Sequence, residues 1–377
     1  MSISYWEKTT FLADVDYLII GGGIVGLNAA LELRDLAPKA KILLLERASI
    51  PQGASTKNAG FACLGSPSEL LEDLRHSPHD QVWETVEARW KGLQRLREKV
   101  GDQNLMYRDY GGFELFKRDR PWVFEDCLKQ LSNFNHNFKH ITGEADAFYV
   151  ADDAIKRFQF KQVEHLIACR LEGQLHPGKM VQALQDLMRD ADIQQLYGMA
   201  VDNWVTTEDG VIVHTQNGYQ LRTKRLLIAT NGFAQRFFSE QDITAVRNQV
   251  LVTAPIEDLP FKACFHYDEG YYYFRNVGDR VLIGGGRNLD AETETTDQFG
   301  QTEIIKNALM EMLQNVILPH RDFSIEHCWS GILGVGKSKR PIIQMMNERV
   351  GVAVRLGGMG VAIGTNVGEE AARMLAK

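Results

Sequence analysis

Cysteine is scarce and scattered: Cys63, Cys127, Cys169, Cys264 and Cys328 are five in 377 residues, with no CxxC pair among them. An odd, widely spaced set excludes a disulfide scaffold and a zinc ribbon, and reads as free thiols in a reducing compartment. Basic residues are not in excess. Lys and Arg number 42 against 49 Asp and Glu, a net charge of −7 with no long basic run, which excludes a general nucleic-acid binder. Long apolar runs are also missing. The longest, Tyr17–Leu33, is interrupted by four glycines, Asn28 and Glu32, so no membrane span is expected. The first fifteen residues lack the charged-then-apolar order of a signal peptide, and the expectation is a soluble, cytoplasmic protein. Proline is low, at 10, while glycine reaches 33. A disordered chain would be rich in both, so the glycines point to backbone brought close to something.

The length suggests about two or three domains. Asp16–Ile20 reads as a buried strand, Ile24 to Pro38 as a helix, and Lys41–Glu46 as a second buried strand. Such a β-α-β start predicts a parallel sheet. Further on, a helix is predicted over about 80–99, with Val82, Val86, Trp90, Leu93, Leu96 and Val100 as its apolar stripe. Another follows Pro177–Gly178, and Asp209–Gly210 and Asn217–Gly218 signal hairpins before the strand Arg225–Ala229. Aromatic-rich strands occupy 247–287, a helix about 301–313, and a strand, a glycine loop and a helix close the chain.

Gly21-Gly22-Gly23-Ile24-Val25-Gly26 fits GxGxxG between the first strand and its helix. There the glycines permit a tight turn, close approach of a pyrophosphate, and helix-on-strand packing. The helix N-terminus adds free N–H groups and partial positive charge. Glu46 stands twenty residues after Gly26 at the tip of the second strand, where a carboxylate accepts from a ribose hydroxyl. These features predict dinucleotide binding and leave FAD and NAD both open.

Later segments carry a resemblance. Gly53-Ala54-Ser55-Thr56-Lys57-Asn58-Ala59-Gly60, Leu175-His176-Pro177-Gly178, Leu226–Gly232, Trp329-Ser330-Gly331 with Pro341-Ile342-Ile343, and Gly357-Gly358-Met359-Gly360-Val361 stand in the order of one family. This is the FAD-dependent amino-acid and amine oxidase family, of the D-amino-acid oxidase, glycine oxidase and sarcosine oxidase type. The wording of the GASTKNAG and ATNG segments is nearest the γ-glutamylputrescine oxidoreductase branch. The resemblance implies an α/β fold with a Rossmann-type FAD-binding domain, interleaved with an antiparallel-sheet α+β substrate domain. The expected division is 1–77, 151–235 and 326–377 for the first, and 78–150 and 236–325 for the second. It implies non-covalent FAD held by Gly21, Gly23, Ile24, Val25, Gly26, Glu46 and Arg47, with Ser55 and Thr56 on phosphate or ribityl oxygens. Ala59, Gly60 and Phe61 would lie beside the ring, with Val201, Thr230, Asn231, Gly232 and Gly331 also near the cofactor. Gly357, Gly358, Met359, Gly360 and Val361 would aim a helix N-terminus at the N1–C2=O edge and stabilise the anion formed there on reduction.

The substrate side departs from the family. Its amino-acid oxidases place a carboxylate-gripping arginine four residues after the motif tryptophan, and here that position is Leu333. Tyr273 and Arg275, alternating to one face of a strand, are the candidate substrate contacts, and Arg275, Arg287 or Lys337 would have to substitute for the lost arginine. The resemblance implies hydride transfer from the α-carbon of an amine or N-substituted amino acid to flavin N5, with the imine then hydrolysed, and needs no dedicated base. A 2-hydroxy acid dehydrogenase of the same fold and a flavin-binding subunit of a larger complex are the alternatives. No metal is expected, and the electron acceptor, oxygen or another, is left open.

Overall fold

The structure is a computed structural model that describes residues 3–238 and 240–377. Strand Val15–Ile20 lies between Ile42–Leu45 and Gln220–Ile228, parallel to both, with Leu18 level with Leu43 and Leu226. Continuous Leu and Ile side chains suit strands covered on both faces. Val350–Val354 joins parallel to Gln220–Ile228 and Gln194–Leu196 parallel to Ile42–Leu45, so the two ends of the chain meet in one sheet. Strand Ile342–Met345 closes one edge in the antiparallel sense, and the hairpin Val201–Thr207/Gly210–Thr215 hangs from Gln220–Ile228.

Helices Ile24–Leu36, Pro177–Asp190 and Gly360–Ala376 cover one face of this sheet. The first and last of them approach closely. A Cβ at Gly368 would stand 2.5 Å from the Val25 carbonyl oxygen, so only glycine lets the backbones meet there.

The second sheet runs in the order Ile325–Val335, Thr244–Thr253, Arg280–Gly285, Tyr272–Val277, Cys264–Tyr267, Gly112–Lys117, Val163–Cys169, Phe148–Val150. It is antiparallel except where Cys264–Tyr267 pairs parallel with Gly112–Lys117, which corrects the purely antiparallel expectation. Sheet membership also follows other boundaries than those expected. Val163–Cys169 and Ile325–Val335 belong to this sheet, although the expected division gave 151–235 and 326–377 to the cofactor unit. Helix His79–Val100 places Leu93, Leu96 and Val100 in the core of the first sheet, whereas 78–150 was expected in the other unit.

One face of the second sheet is an apolar core of Phe113, Leu115, Phe265, Phe274 and Ile283 with helix Glu303–Met312. Directly opposed residues share a face. On the other face Glu114, His266, Tyr273, Gly284, Val250 and Trp329 therefore form one row across six strands, turned toward segment 53–66.

Candidate functional site

The turn after the first strand is built for close approach. Gly21 has φ +118°, and a Cβ on Gly26 would stand 2.0 Å from the Gly21 carbonyl oxygen. Helix Ile24–Leu36 starts at Gly23 without a side-chain cap; the Ile24 amide donates instead to Ser55 Oγ at 2.9 Å. The expected residues Gly21, Gly23, Ile24, Val25, Gly26 and Ser55 are thus in one place. Glu46, at the tip of the second strand, accepts from the Gly22 amide at 3.2 Å and the Ala48 amide at 3.1 Å. Burial raises its carboxyl above the usual range, against those two amides, which favour the anion. The Met199 amide donates to the Glu46 carbonyl, which brings buried Val201 alongside. Arg47 lies 3.6 Å over the Phe233 ring. Gln195 has no sequence signal beyond its place on a strand tip. Its Nε2 would be 3.0 Å from a Cβ on Gly22 and, among the described residues, has no partner.

In segment 53–61 several motif residues serve the protein itself. Thr56 Oγ1 donates to the Pro51 carbonyl at 2.8 Å, and Asn58 caps the short helix Ala54–Lys57 while its Oδ1 receives the Gly60 amide at 2.8 Å. Gly60 (φ +75°) would place a Cβ 2.3 Å from the Leu175 carbonyl oxygen. Ala59 and Phe61 pack on Val250, Leu282, Tyr273 and Trp329, and Trp329 Nε1 donates to the Lys57 carbonyl at 2.9 Å. A Cβ on Gly331 would sit 3.2 Å from Lys57 Cβ, so the motif tryptophan and glycine clamp this segment.

Arg275 does not have the environment of a substrate contact. It is 7% exposed, and four hydrogen bonds hold it to neutral oxygens. Nε donates to the Ala59 carbonyl, Nη1 to Gln174 Oε1 and the Asn276 carbonyl, and Nη2 to the Leu175 carbonyl. Burial lowers its pKa to about 10, and no carboxylate pairs with it among the described residues. Tyr273 is mostly buried, edge-on to Phe61 and beside the Asn248 amide, and burial pushes its phenol up to about 12. Asn248 Oδ1 is buried without a partner among the described residues. Arg287 is partly buried 5.5 Å from the Tyr271 ring, with no carboxylate in ion-pair reach among the described residues. Lys337 is exposed on a loop whose amide donates to Asp242.

Asn231 and Gly232 brace the C-terminal loop. Asn231 (φ +48°) accepts the Arg355 and Leu356 amides on Oδ1 at 3.1 and 3.2 Å, and a Cβ on Gly232 would meet the Leu333 carbonyl oxygen at 2.5 Å. Both therefore act as supports of this loop. Replacing Asn231 by alanine strands two amides and leaves a strained backbone, a cost of about 2–4 kcal/mol. A melting transition lowered by several degrees, measured by circular dichroism, is the expected result. Beyond this brace the loop is bare: among the described residues, a Cβ at Gly357 or Gly358 meets nothing within 4 Å. Met359 and Val361 are buried beneath it, and helix Gly360–Ala376 begins without a side-chain cap.

The sheet face next to Phe61 carries a buried polar group that sequence reasoning missed, since its members lie far apart in the chain. His266 Nε2 is 2.8 Å from Glu172 Oε2, and Glu114 receives the Ser68 amide at 2.8 Å and the Ser68 hydroxyl. Burial opposes charge on His266, but Glu172 and Glu114 outweigh it and hold the imidazole above its ordinary value. Burial lifts Glu114 to about 7. Both groups bind their protons more tightly when folded, so their stabilisation is complete at low pH and is lost as pH rises through the folded values. Glu114→Gln should therefore flatten part of the fall in urea midpoint between pH 5 and 8; an unchanged slope would refute that origin.

The residues fit an extended dinucleotide. Helices Ile24–Leu36 and Gly360–Ala376 both begin without a cap from their own N-cap side chain, the loop at 357–358 is bare, and buried Thr230 Oγ1 and Gln195 Nε2 are unsatisfied among the described residues. Among those residues no cluster could hold a metal, and no helix is long and apolar enough to cross a membrane. Residues 16–374 match the family described as DAO, FAD dependent oxidoreductase. The fold is similar to that of glycine oxidase from Geobacillus kaustophilus, at TM-score 0.76 and 17% identity over 96% of this chain and 94% of that one. It is likewise similar to L-proline dehydrogenase from P. horikoshii, at 0.74 and 16% over 96% and 93%. Iminodiacetate oxidase from Chelativorans sp. BNC1 gives 0.73 and 17% over 95% of each chain. A short stretch of 36 residues is 53% identical to L-2-hydroxyglutarate dehydrogenase of Escherichia coli (strain K12), covering 10% of this chain and 8% of that protein.

Proposed function

Because the chain belongs to the DAO family of FAD-dependent oxidoreductases, we propose that it oxidises a C–N bond of an amino acid or N-substituted amino acid, or of an amine. The observation that carries the amino-acid reading is Arg287. It is a partly buried cation beside Tyr271 with no carboxylate partner among the described residues, suited to a substrate carboxylate now that the family's arginine position is Leu333. Tyr273 and the unsatisfied Asn248 Oδ1 stand on the same sheet face, where an amine N–H can donate to Asn248.

Bound FAD supplies a two-electron acceptor for the hydride leaving the substrate α-carbon. The protein's part is placement. Phe61, Trp329 and Val250 make a dry wall against which the carbon can be held, and a substrate left as an imine is then hydrolysed by water. We take the FAD to be non-covalent. Cys328 turns to the opposite, apolar core of the sheet, out of reach of the cradle, so acid precipitation should leave the yellow colour in the supernatant. Colour in the pellet would refute this. The five unpaired cysteines support a cytoplasmic location.

The test is anaerobic bleaching of the purified yellow protein against amines, N-methyl amino acids, D- and L-amino acids and 2-hydroxy acids. Bleaching by a nitrogen substrate and by no hydroxy acid is expected. A second reading, 2-hydroxy acid oxidation, draws on the 36-residue likeness to L-2-hydroxyglutarate dehydrogenase and would be supported by the opposite pattern.

A further inference from the structure

At the far end of the second sheet from Asn248 and Arg287 lies a cavity of about 540 Å³, within the size range of small-molecule sites. Arg275 lines it, and none of Tyr273, Asn248 or Arg287 does. The charge on Arg275 is unmatched: four of the five guanidinium N–H groups go to neutral oxygens, and no carboxylate is paired with it among the described residues. A buried charge is costly unless it is paired. Two further cations face the same cavity, Arg108 and Lys262, and neither is in an ion pair among the described residues. Arg108 spends one N–H on the Tyr107 carbonyl at 2.9 Å. The remaining wall is apolar, from Leu175, Ile256, Phe261 and Val277, with Asn276 and Gln174 as neutral hydrogen-bonding groups. Asp258 and Asp279 also line it, both exposed, and they disfavour a ligand carrying several negative charges. Burial holds His176, the remaining titratable group in the wall apart from Tyr110, toward its neutral form.

We propose that this cavity is a second ligand site, separate from the dinucleotide cradle, for a small monocarboxylate with an apolar body. The carboxylate pairs with Arg108 and Lys262 above the Arg275 charge, and the body packs on Ile256 and Phe261. The site adjoins the cofactor segment: Arg275 Nε donates to the Ala59 carbonyl, and the Leu175 amide donates to the Gly60 carbonyl. The proposal does not depend on which substrate the enzyme oxidises.

Calorimetric titration of the holoenzyme with cyclohexanecarboxylate at fixed ionic strength tests it, with cyclohexanecarboxamide as the uncharged isostere. One saturable event is expected for the acid and none for the amide. Affinity should fall at least tenfold in the double variant Arg108→Glu/Lys262→Glu, whose side chains are on the surface. It should stay within threefold in Arg287→Ala, which separates this cavity from the substrate side. Absence of saturable binding overturns the proposal, as does equal affinity in the double variant or loss of binding in Arg287→Ala. Arg275→Met should abolish binding; if that variant does not fold, the double variant decides alone. The bleaching panel can fail while this titration succeeds, and the reverse, so the two readings are judged apart.

Discussion

Gly26→Val is expected to give protein that retains less than a tenth of the wild-type flavin absorbance and little folded yield. Even the first side-chain carbon would stand 2.0 Å from the Gly21 carbonyl oxygen, and 3.3 Å from Ile19 Cγ2. Neither neighbour can move cheaply, since Gly21 is the turn itself and Ile19 belongs to the central strand. The helix would have to lift away from the sheet, which displaces the N-terminal amides proposed to hold the phosphates and opens the core around Leu27 and Leu33. Gly53→Ala is the contrasting control. That motif glycine has φ −76° and, among the described residues, nothing within 4 Å of its Cβ position, so alanine there should keep the wild-type soluble yield and melting temperature. Soluble yield, absorbance per protein and melting temperature distinguish the pair. Normal flavin content in Gly26→Val would mean that the close helix–turn approach is not what positions the cofactor.

The cradle was legible because its signals are local. A buried strand, three glycines, a helical stripe and a carboxylate at the next strand tip occupy about thirty consecutive residues, and the structure keeps them in that order. The helix Pro121–Thr142 is hard to read from the sequence: Phe124, Cys127, Phe134 and Phe138 recur at helical spacing and are buried, but its many Asn, His and Lys residues mask the stripe. The parallel pairing of Cys264–Tyr267 with Gly112–Lys117 could not be read, since nothing local fixes which strand becomes a neighbour across 150 residues. Arg275 shows a subtler limit. Alternation correctly set it on the Tyr273 face, but not that Ala59, Gln174, Leu175 and Asn276 would converge on its guanidinium. Period-two patterning reports a face, while hydrogen-bond partners come from segments that the fold alone brings together. Asn231 and Gly232 illustrate the same point: the Arg355 and Leu356 amides and the Leu333 carbonyl that they meet come from segments that only the fold brings beside them.

Arg287→Ala should lower kcat/KM for the amino acid that bleaches the flavin by about 30- to 300-fold, with most of the change in KM. A charge-assisted pair with a carboxylate contributes roughly 2–4 kcal/mol when desolvated, and partial exposure of Arg287 puts the effect below the top of that range. The change falls on KM because the carboxylate is held equally before and during hydride loss, so the pair is uniform binding. Arg287→Lys keeps the charge but loses the planar fork and the contact with Tyr271, and should recover part of the loss. An amine lacking a carboxylate provides the decisive comparison. It should be turned over equally by wild type and Arg287→Ala, because the removed cation has nothing to pair with on that substrate. Equal loss on both substrates would make Arg287 a packing residue of the Tyr271 strand end. No loss on either would move carboxylate recognition elsewhere, with Lys337 the candidate that remains; it is exposed, so a loop movement would have to bring it in. Steady-state kinetics of the three proteins on one amino acid and its decarboxylated amine therefore decide whether this chain recognises an amino acid or only its nitrogen.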